Sequence, residues 1–407
     1  MERLSLQHGD LPQFSWHPTS RSVRFDRLVP YLSITAVNHF EYHGELTNKL
    51  SLFKNLKDYC EAQVLNINDF IPTTFALEFE SNRFHAQYIA FTTYFKAIGE
   101  MWRKGRYEEL STVLSRTLLS GENVWLLKPS NFNRGRGISV FSSIDQLKEL
   151  VDAYQEIARS HLRSERFKPK SEPSKVPSLK FVIQKYIERP LLINKRKFDI
   201  RMWVLMTQDM QGYLYRQGYL RTSSEEFTLS KDRLASGYVH LTNNAVQKNG
   251  PMYGQFEDGN QLSFVYFQDY LDQNYPERGA TLEFTFLPRI KDLVSKSLLA
   301  VPLTQASSKL NPHRRKVCFE LFGYDFIIDE EMKVWLIEVN TNPCLELSSP
   351  LLEQLIPNML DDMLKLTVDK VFPTEYRHEL ETGLIVHLDP GNNWELVLSL
   401  SSKSPSS

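Results

Sequence analysis

Apolar residues recur along the chain in two rhythms. In "LTNKLSLFKNLKDYCEAQ" (46–63), Leu46, Leu50, Phe53 and Leu56 fall at helical spacing and predict an amphipathic helix. The same reading predicts helices in "SNRFHAQYIAFTTYFKAIGEMWRKG" (81–105), in "YEELSTVLSRTLLSG" (107–121), and over 261–272, 285–302 and 351–372. "SIDQLKELVDAYQEIARS" (143–160) is a further helix, capped by Ser143. Shorter apolar or alternating runs predict strands in "LVPYLSITAV" (28–37), "IPTTFALEF" (71–79), "KFVIQKYI" (180–187), "FDIRMWVLMT" (198–207) and "GYLYRQGYLRTS" (212–223). "VWLLKPSNFNRGRGISVF" (124–141) reads as strand, loop, strand, and "FELFGYDFIIDEEMKVWLIEVNTNP" (319–343) as a hairpin. The stretch 163–178, rich in Pro, Ser and charge, predicts a mobile loop, and the Ser-rich end a disordered tail. Mixed helices and strands, several of them able to pair antiparallel, indicate an α+β fold.

Composition narrows the function. The 407 residues carry a net charge of -1, which gives no global attraction to nucleic acid or membrane. No apolar run reaches the roughly 18 residues of a spanning helix, and the N-terminus has no signal-peptide core. Three scattered cysteines form neither a disulfide framework nor a zinc site and suit a reducing, cytoplasmic setting. A monomer is expected.

Polar groups inside the apolar runs are the candidate chemistry. Glu338 and Asn340 alternate on one strand and share a face. A two-residue turn at Glu330–Glu331 would put Asp325 on that face too, and a three-residue turn would put it on the other. Three such oxygen donors suit Mg²⁺, or they are simply solvated or salt-bridged strand residues. In the glycine loop, Gly135 and Gly137 permit close backbone approach to an anion, and Lys128, Arg134 and Arg136 add charge. An ordinary basic turn reads the same way. Lys197, Asp199 and Arg201 alternate with apolar Phe198 and Ile200, and Arg221 follows on the next strand. That set can neutralise phosphate and carboxylate oxygens, or it is the solvated face of an edge strand.

Taken in order, Lys-Pro…Arg-Gly-Arg-Gly-Ile, Gln-Lys-Tyr-Ile…Arg-Lys-Phe-Asp-Ile-Arg, Leu-Arg-Thr-Ser, His-Leu-Thr-Asn-Asn, Phe-Gly-Tyr-Asp and Trp-Leu-Ile-Glu-Val-Asn resemble the tubulin tyrosine ligase and ligase-like family over about 36–375. The resemblance implies an ATP-grasp fold with a smaller N-terminal α/β domain. It divides the chain into 1–110, a central lobe at 111–212, a C-terminal lobe at 213–375 and an extension at 376–407. It implies ATP and Mg²⁺ as cofactors. A carboxylate of the tubulin tail would be phosphorylated and then attacked by the amine of a free amino acid. Lys128, Arg134, Gly135, Arg136 and Gly137 match the phosphate side, with Lys49 added, and Gln184, Lys185, Tyr186 and Ile187 match the adenine side. Lys197, Asp199, Arg201 and Arg221 match the catalytic wall, Thr242 and Asn243 the ribose and phosphate loop, and Asp325, Glu338 and Asn340 the metal ligands.

The partner implied is the acidic C-terminal tail of tubulin or the microtubule, in the cytoskeleton, cilium or basal body. "WRKGR" (102–106), "NKRK" (194–197) and "HRRK" (313–316) are the candidate docking runs. Glutamate is the expected amino acid, because polyglutamylation is the commonest ligase-like activity, with glycine and tyrosine as alternatives. A catalytically silent tubulin-binding relative is the alternative of another class.

Overall fold

The computed structural model describes residues 14–25, 36–79, 81–165, 180–301, 318–372 and 391–400. The leader before Phe14, the "HRRK" run and the Ser-rich end lie outside the described residues, as does the loop expected at 163–178 except for 163–165, which continue the helix Ile144–Glu165 instead. Of the strand expected at 28–37, only Ala36 and Val37 are described. No described helix is long and apolar enough to cross a membrane.

In chain order the strands are β1 (Phe14–Ser15), β2 (Ala36–Val37), β3 (Thr74–Glu78), β4 (Trp125–Pro129), β5 (Ser139–Phe141), β6 (Lys180–Lys185) and β7 (Leu192–Ile193). They continue with β8 (Arg196–Met206), β9 (Gln211–Tyr215), β10 (Tyr219–Glu226), β11 (Gln261–Ser263), β12 (Glu320–Ile328), β13 (Val334–Thr341) and β14 (Trp394–Ser399). One sheet runs β3-β6-β4-β5, all antiparallel. The larger runs β11-β10-β8-β12-β13, with β7 and β9 on β8 and β14 on β9. The sheets cut across the boundaries expected at 110 and 212: β3 pairs with β6, and β8 is the middle of the large sheet, between β10 and β12. The C-terminal extension also contributes, since β14 pairs with β9 and buries Trp394.

The alternation in β8 decides how the large sheet is used. Phe198, Ile200, Met202, Val204 and Met206 face one core, packed with the helix Leu287–Ala300. On the other face the strand changes character halfway. Trp203 and Leu205 are apolar and lie under the helix Pro350–Leu366. Lys197, Asp199 and Arg201 are buried and charged, and face a cleft toward the smaller sheet. β8 is therefore a central strand, not a solvated edge. On β4 and β6, Trp125, Leu127, Phe181 and Ile183 fill the core behind the small sheet, while Lys128 and Gln184 on the alternate positions reach the cleft.

Several expected boundaries shift. The helix predicted from 261 begins at Phe264, after β11 and a cap by Ser263; the one predicted from 285 begins with a π-turn, Leu282–Phe286. The 107–121 helix stops at Val113, and a 3₁₀ turn follows at Arg116–Leu118. Ser143 caps its helix as expected, accepting from Gln146 N at 3.2 Å.

The hairpin departs from the expected two-residue turn. Asp329 N donates to Lys333 O, so Glu330, Glu331 and Met332 form a three-residue turn, with Met332 at φ 65°. That turn alone would set Asp325 opposite Ile337. A bulge intervenes: Phe326 pairs with Leu336, but Asp325 pairs with Glu338, so Ile337 is the extra residue and the carboxylates share a face after all. Buried Asp329 ties the turn together, accepting from Glu331 N, Lys333 N, Thr117 Oγ1 and Trp335 Nε1 at 2.5–3.0 Å. Asp329→Ala strands these donors and is expected to cost on the order of 3 kcal/mol, read from urea unfolding midpoints.

Candidate active site

The site is a cross-strand row. Arg221 on β10 pairs with Asp199 on β8, Arg201 on β8 with Asp325 on β12, and Asp325 with Glu338 on β13. Residues directly opposite in antiparallel strands lie close enough for side-chain contact, and here they form one network. Arg221 Nε and Nη2 each donate to Asp199 at 2.7 Å, and Nη2 also reaches Asp325 Oδ2 at 2.8 Å. Arg201 Nε meets Asp325 Oδ1 at 2.6 Å. Asn340 Nδ2 bridges Asp325 Oδ2 at 3.2 Å and Glu338 Oε1 at 3.1 Å. Lys49 Nζ lies 3.1 Å from Glu338 Oε2 and donates to Phe132 O at 2.7 Å. Close packing of Arg201 against the sheet depends on Gly323, where an added Cβ would sit 3.2 Å from Arg201 Nη1.

The electrostatics are those of a dry site. Burial pushes Asp325 above its ordinary carboxylate value against the pull of Arg201 and Arg221. Burial would raise Glu338 too, but Lys49 and Lys128 outweigh it and hold that carboxyl far below the usual range. Lys128 is pulled down to about 8 by burial; among the described residues its ammonium has only Gln184 Oε1, at 2.7 Å, as hydrogen-bond partner. Lys197 is pulled down to about 7 by burial and by Lys128, and it donates to Tyr186 OH at 3.0 Å and His240 O at 2.9 Å. Two desolvated ammonium groups without a direct carboxylate partner among the described residues make this end of the cleft fit for a polyanion. At the β13 end of the row, Asp325 and Glu338 are oxygen donors of the kind a magnesium ion takes, and the amide of Asn340, which here turns its Nδ2 to both carboxylates, stands beside them.

The other expected residues divide. Gly135 and Gly137 have φ of 74° and 69°, and a Cβ on Gly135 would sit 3.0 Å from Asn243 Oδ1, so the loop lies directly on the 242–243 segment. Arg134 lines the open end of the cleft. Arg136 turns away, donating to Asn133 Oδ1 at 3.1 Å, and does not join the cleft. Thr242 Oγ1 donates to Asp199. Lys185 borders the cleft but spends its charge on Glu188, 2.5 Å away with both side chains fully buried. Tyr186 and Ile187 line the inner end.

Of the basic runs, "NKRK" is not a surface patch. Arg196 is buried in a bidentate pair with Glu257 at 2.7–2.8 Å, and Lys197 belongs to the cleft. In "WRKGR", Lys104 and Arg106 pair with Glu100 and Glu109. His240 is a site residue that the sequence reading passed over. Its Nδ1 meets Tyr186 OH at 2.9 Å, and its buried Nε2 has no close hydrogen-bond partner among the described residues. Burial and Lys197 pull it down to about 4, so it is neutral. Its only sequence signal was its place in "HLTNN".

Residues 29–378 match the tubulin-tyrosine ligase family. A stretch of 256 residues is 35% identical to Tubulin glycylase 3D of Tetrahymena thermophila, covering 62% of this chain and 22% of that protein. Tubulin glycylase 3A of Drosophila melanogaster is 35% identical over 61% of this chain and 22% of its own length. Protein monoglycylase TTLL8 of Homo sapiens is 32% identical over 64% of this chain and 28% of its own. The matched region thus spans only about a quarter of these relatives. Their names overturn the expectation of glutamate, which rested on how common that activity is and on no side chain in the cleft. The family match, covering most of the sequence together with the row of charged residues described above, assigns the chain to the tubulin-tyrosine ligase family.

Proposed function

We propose that the protein is an ATP-dependent ligase of ATP-grasp type that joins glycine to a glutamate side chain in the acidic tail of tubulin. The observation that supports this most is the convergence of Lys49, Lys128, Lys197, Arg201 and Arg221 with Asp325, Glu338 and Asn340 on one cleft. Lys128, Lys197 and the glycine loop would hold the nucleotide phosphates, with Gln184, Tyr186 and Ile187 around the base. Asp325, Glu338 and Asn340 would hold Mg²⁺, which when bound offsets charge on the transferring phosphoryl group. Arg201 and Arg221 would hold the acceptor carboxylate beside it against mutual repulsion.

ATP-dependent labelling of microtubules with glycine, glutamate and tyrosine in parallel, read by intact mass, tests the assignment. Increments of glycine alone are expected; glutamate increments would sink the specificity and no increment the activity. Lys197 adds a separable test. A lysine held near 7 is partly neutral at pH 7.5, so a bound triphosphate should restore its proton. Calorimetric titration of ADP or ATP in buffers of differing ionisation enthalpy should show proton uptake, most of it lost in Lys197→Met, with Lys128 supplying the remainder.

A further inference from the structure

The segment Phe14–Phe25, on which the sequence is silent, borders the open end of the cleft: Pro18 and Thr19 line it opposite Arg201, Arg221 and Asn340. Main-chain clamps set its path. His17 N donates to Asn38 Oδ1 at 2.7 Å, and Asn38 Nδ2 returns a bond to His17 O at 3.0 Å. His39 Nε2 donates to the same carbonyl at 2.9 Å. On its other side His39 Nδ1 meets Glu320 Oε1 at 2.9 Å. Both ring nitrogens face acceptors, so the place suits a doubly protonated imidazolium beside a fully buried carboxylate. Glu320 also accepts from Phe40 N at 2.7 Å and from Thr341 Oγ1 at 2.7 Å. Thr341 is the residue after Asn340, so one network fixes both this segment and the end of β13.

We propose that residues 14–25 are a latched wall of the acceptor end, which confines an extended acidic peptide against Arg201 and Arg221, with Asn38 and the His39–Glu320 pair as its positioning residues. The word acceptor rests on the ligase reading; the wall itself does not. Of the titratable groups around the latch, His17 and His43 are driven toward neutrality by burial and by the charge of His39. Burial opposes the charge on His39 as well, but the hydrogen bond and charge of Glu320 prevail and raise it. A raised histidine keeps its charge below its ordinary value and loses it as pH climbs through the raised one, so the latch loosens on the alkaline side.

The test is anisotropy of a labelled polyglutamate peptide, measured without turnover, beside nucleotide binding to the same protein. Asn38→Ala removes two of the three clamps on His17 and should weaken peptide binding about tenfold, through the cost of reordering the wall, with nucleotide affinity unchanged. In turnover the same variant should raise the peptide KM and leave kcat in place. Wild-type peptide affinity should fall as pH rises through the His39 titration, and His39→Gln should flatten that dependence. Should Asn38→Ala fail to fold, Pro18→Gly, which leaves every clamp intact, must show the loss instead. Unchanged peptide affinity, or an equal fall in nucleotide affinity, overturns the proposal. Normal peptide and nucleotide binding without glycine transfer strikes only the ligase reading.

Discussion

Glu338→Gln is expected to lower the proposed glycine transfer by about 10²–10³-fold, the usual cost of losing one charge-stabilising group at a reacting centre. The substitution keeps the size of the side chain and an oxygen to accept from Asn340, but ends the ion pair with Lys49 and removes the charge that Lys49 and Lys128 share and that a magnesium ion would take. Circular dichroism should therefore be unchanged while intact-mass labelling nearly vanishes. Magnesium titration should show the half-saturating concentration moving up in the variant. Turnover within a few-fold of wild type would remove Glu338 from the metal set.

Arg221→Met is expected to cost about 3–5 kcal/mol of stability as well as activity, because removing one partner of a buried ion network strands the others. Arg221 is the contact shared by Asp199 and Asp325, whose carboxylates have little solvent to turn to. Without that guanidinium, Asp325, already lifted by burial, rises further. A group whose folded value is raised destabilises as pH climbs through that value. The deficit against wild type, measured by urea unfolding, should thus shrink as pH is lowered and Asp325 takes up its proton. A deficit that grows on acidification would mean that Arg221 is not the group holding Asp325 ionised.

Much of this site was legible because strands impose a period of two. Lys197, Asp199 and Arg201 alternate with Phe198 and Ile200, and one face had to be charged wherever the strand lay. What alternation does not reveal is depth. The same pattern fits a solvated edge, and only the pairing of β8 with both β10 and β12 makes it central. The hairpin shows a second limit. Asp325 reaches Glu338 through a three-residue turn and a bulge at Ile337, two irregularities whose effects on facing cancel, and neither leaves a periodic signature. Non-local partners were invisible for a simpler reason. Nothing near 394–399 announces that this stretch will seek β9, and nothing near Glu320 announces His39, 281 residues away.

Cations outnumber carboxylates among the described residues that line the cleft: Lys49, Lys128, Lys197, Arg201 and Arg221, with Arg134 and Lys248 at the open end, stand against Asp199, Asp325, Glu338 and Glu346. Such an imbalance strains the empty protein, and any guest with compensating negative charge relieves it. Nucleotide should accordingly act as a strut: saturating it at a hundred times its dissociation constant raises stability by about 2.7 kcal/mol whatever its chemistry. Inorganic triphosphate, which has no base to recognise, should share in that protection against heat and proteolysis.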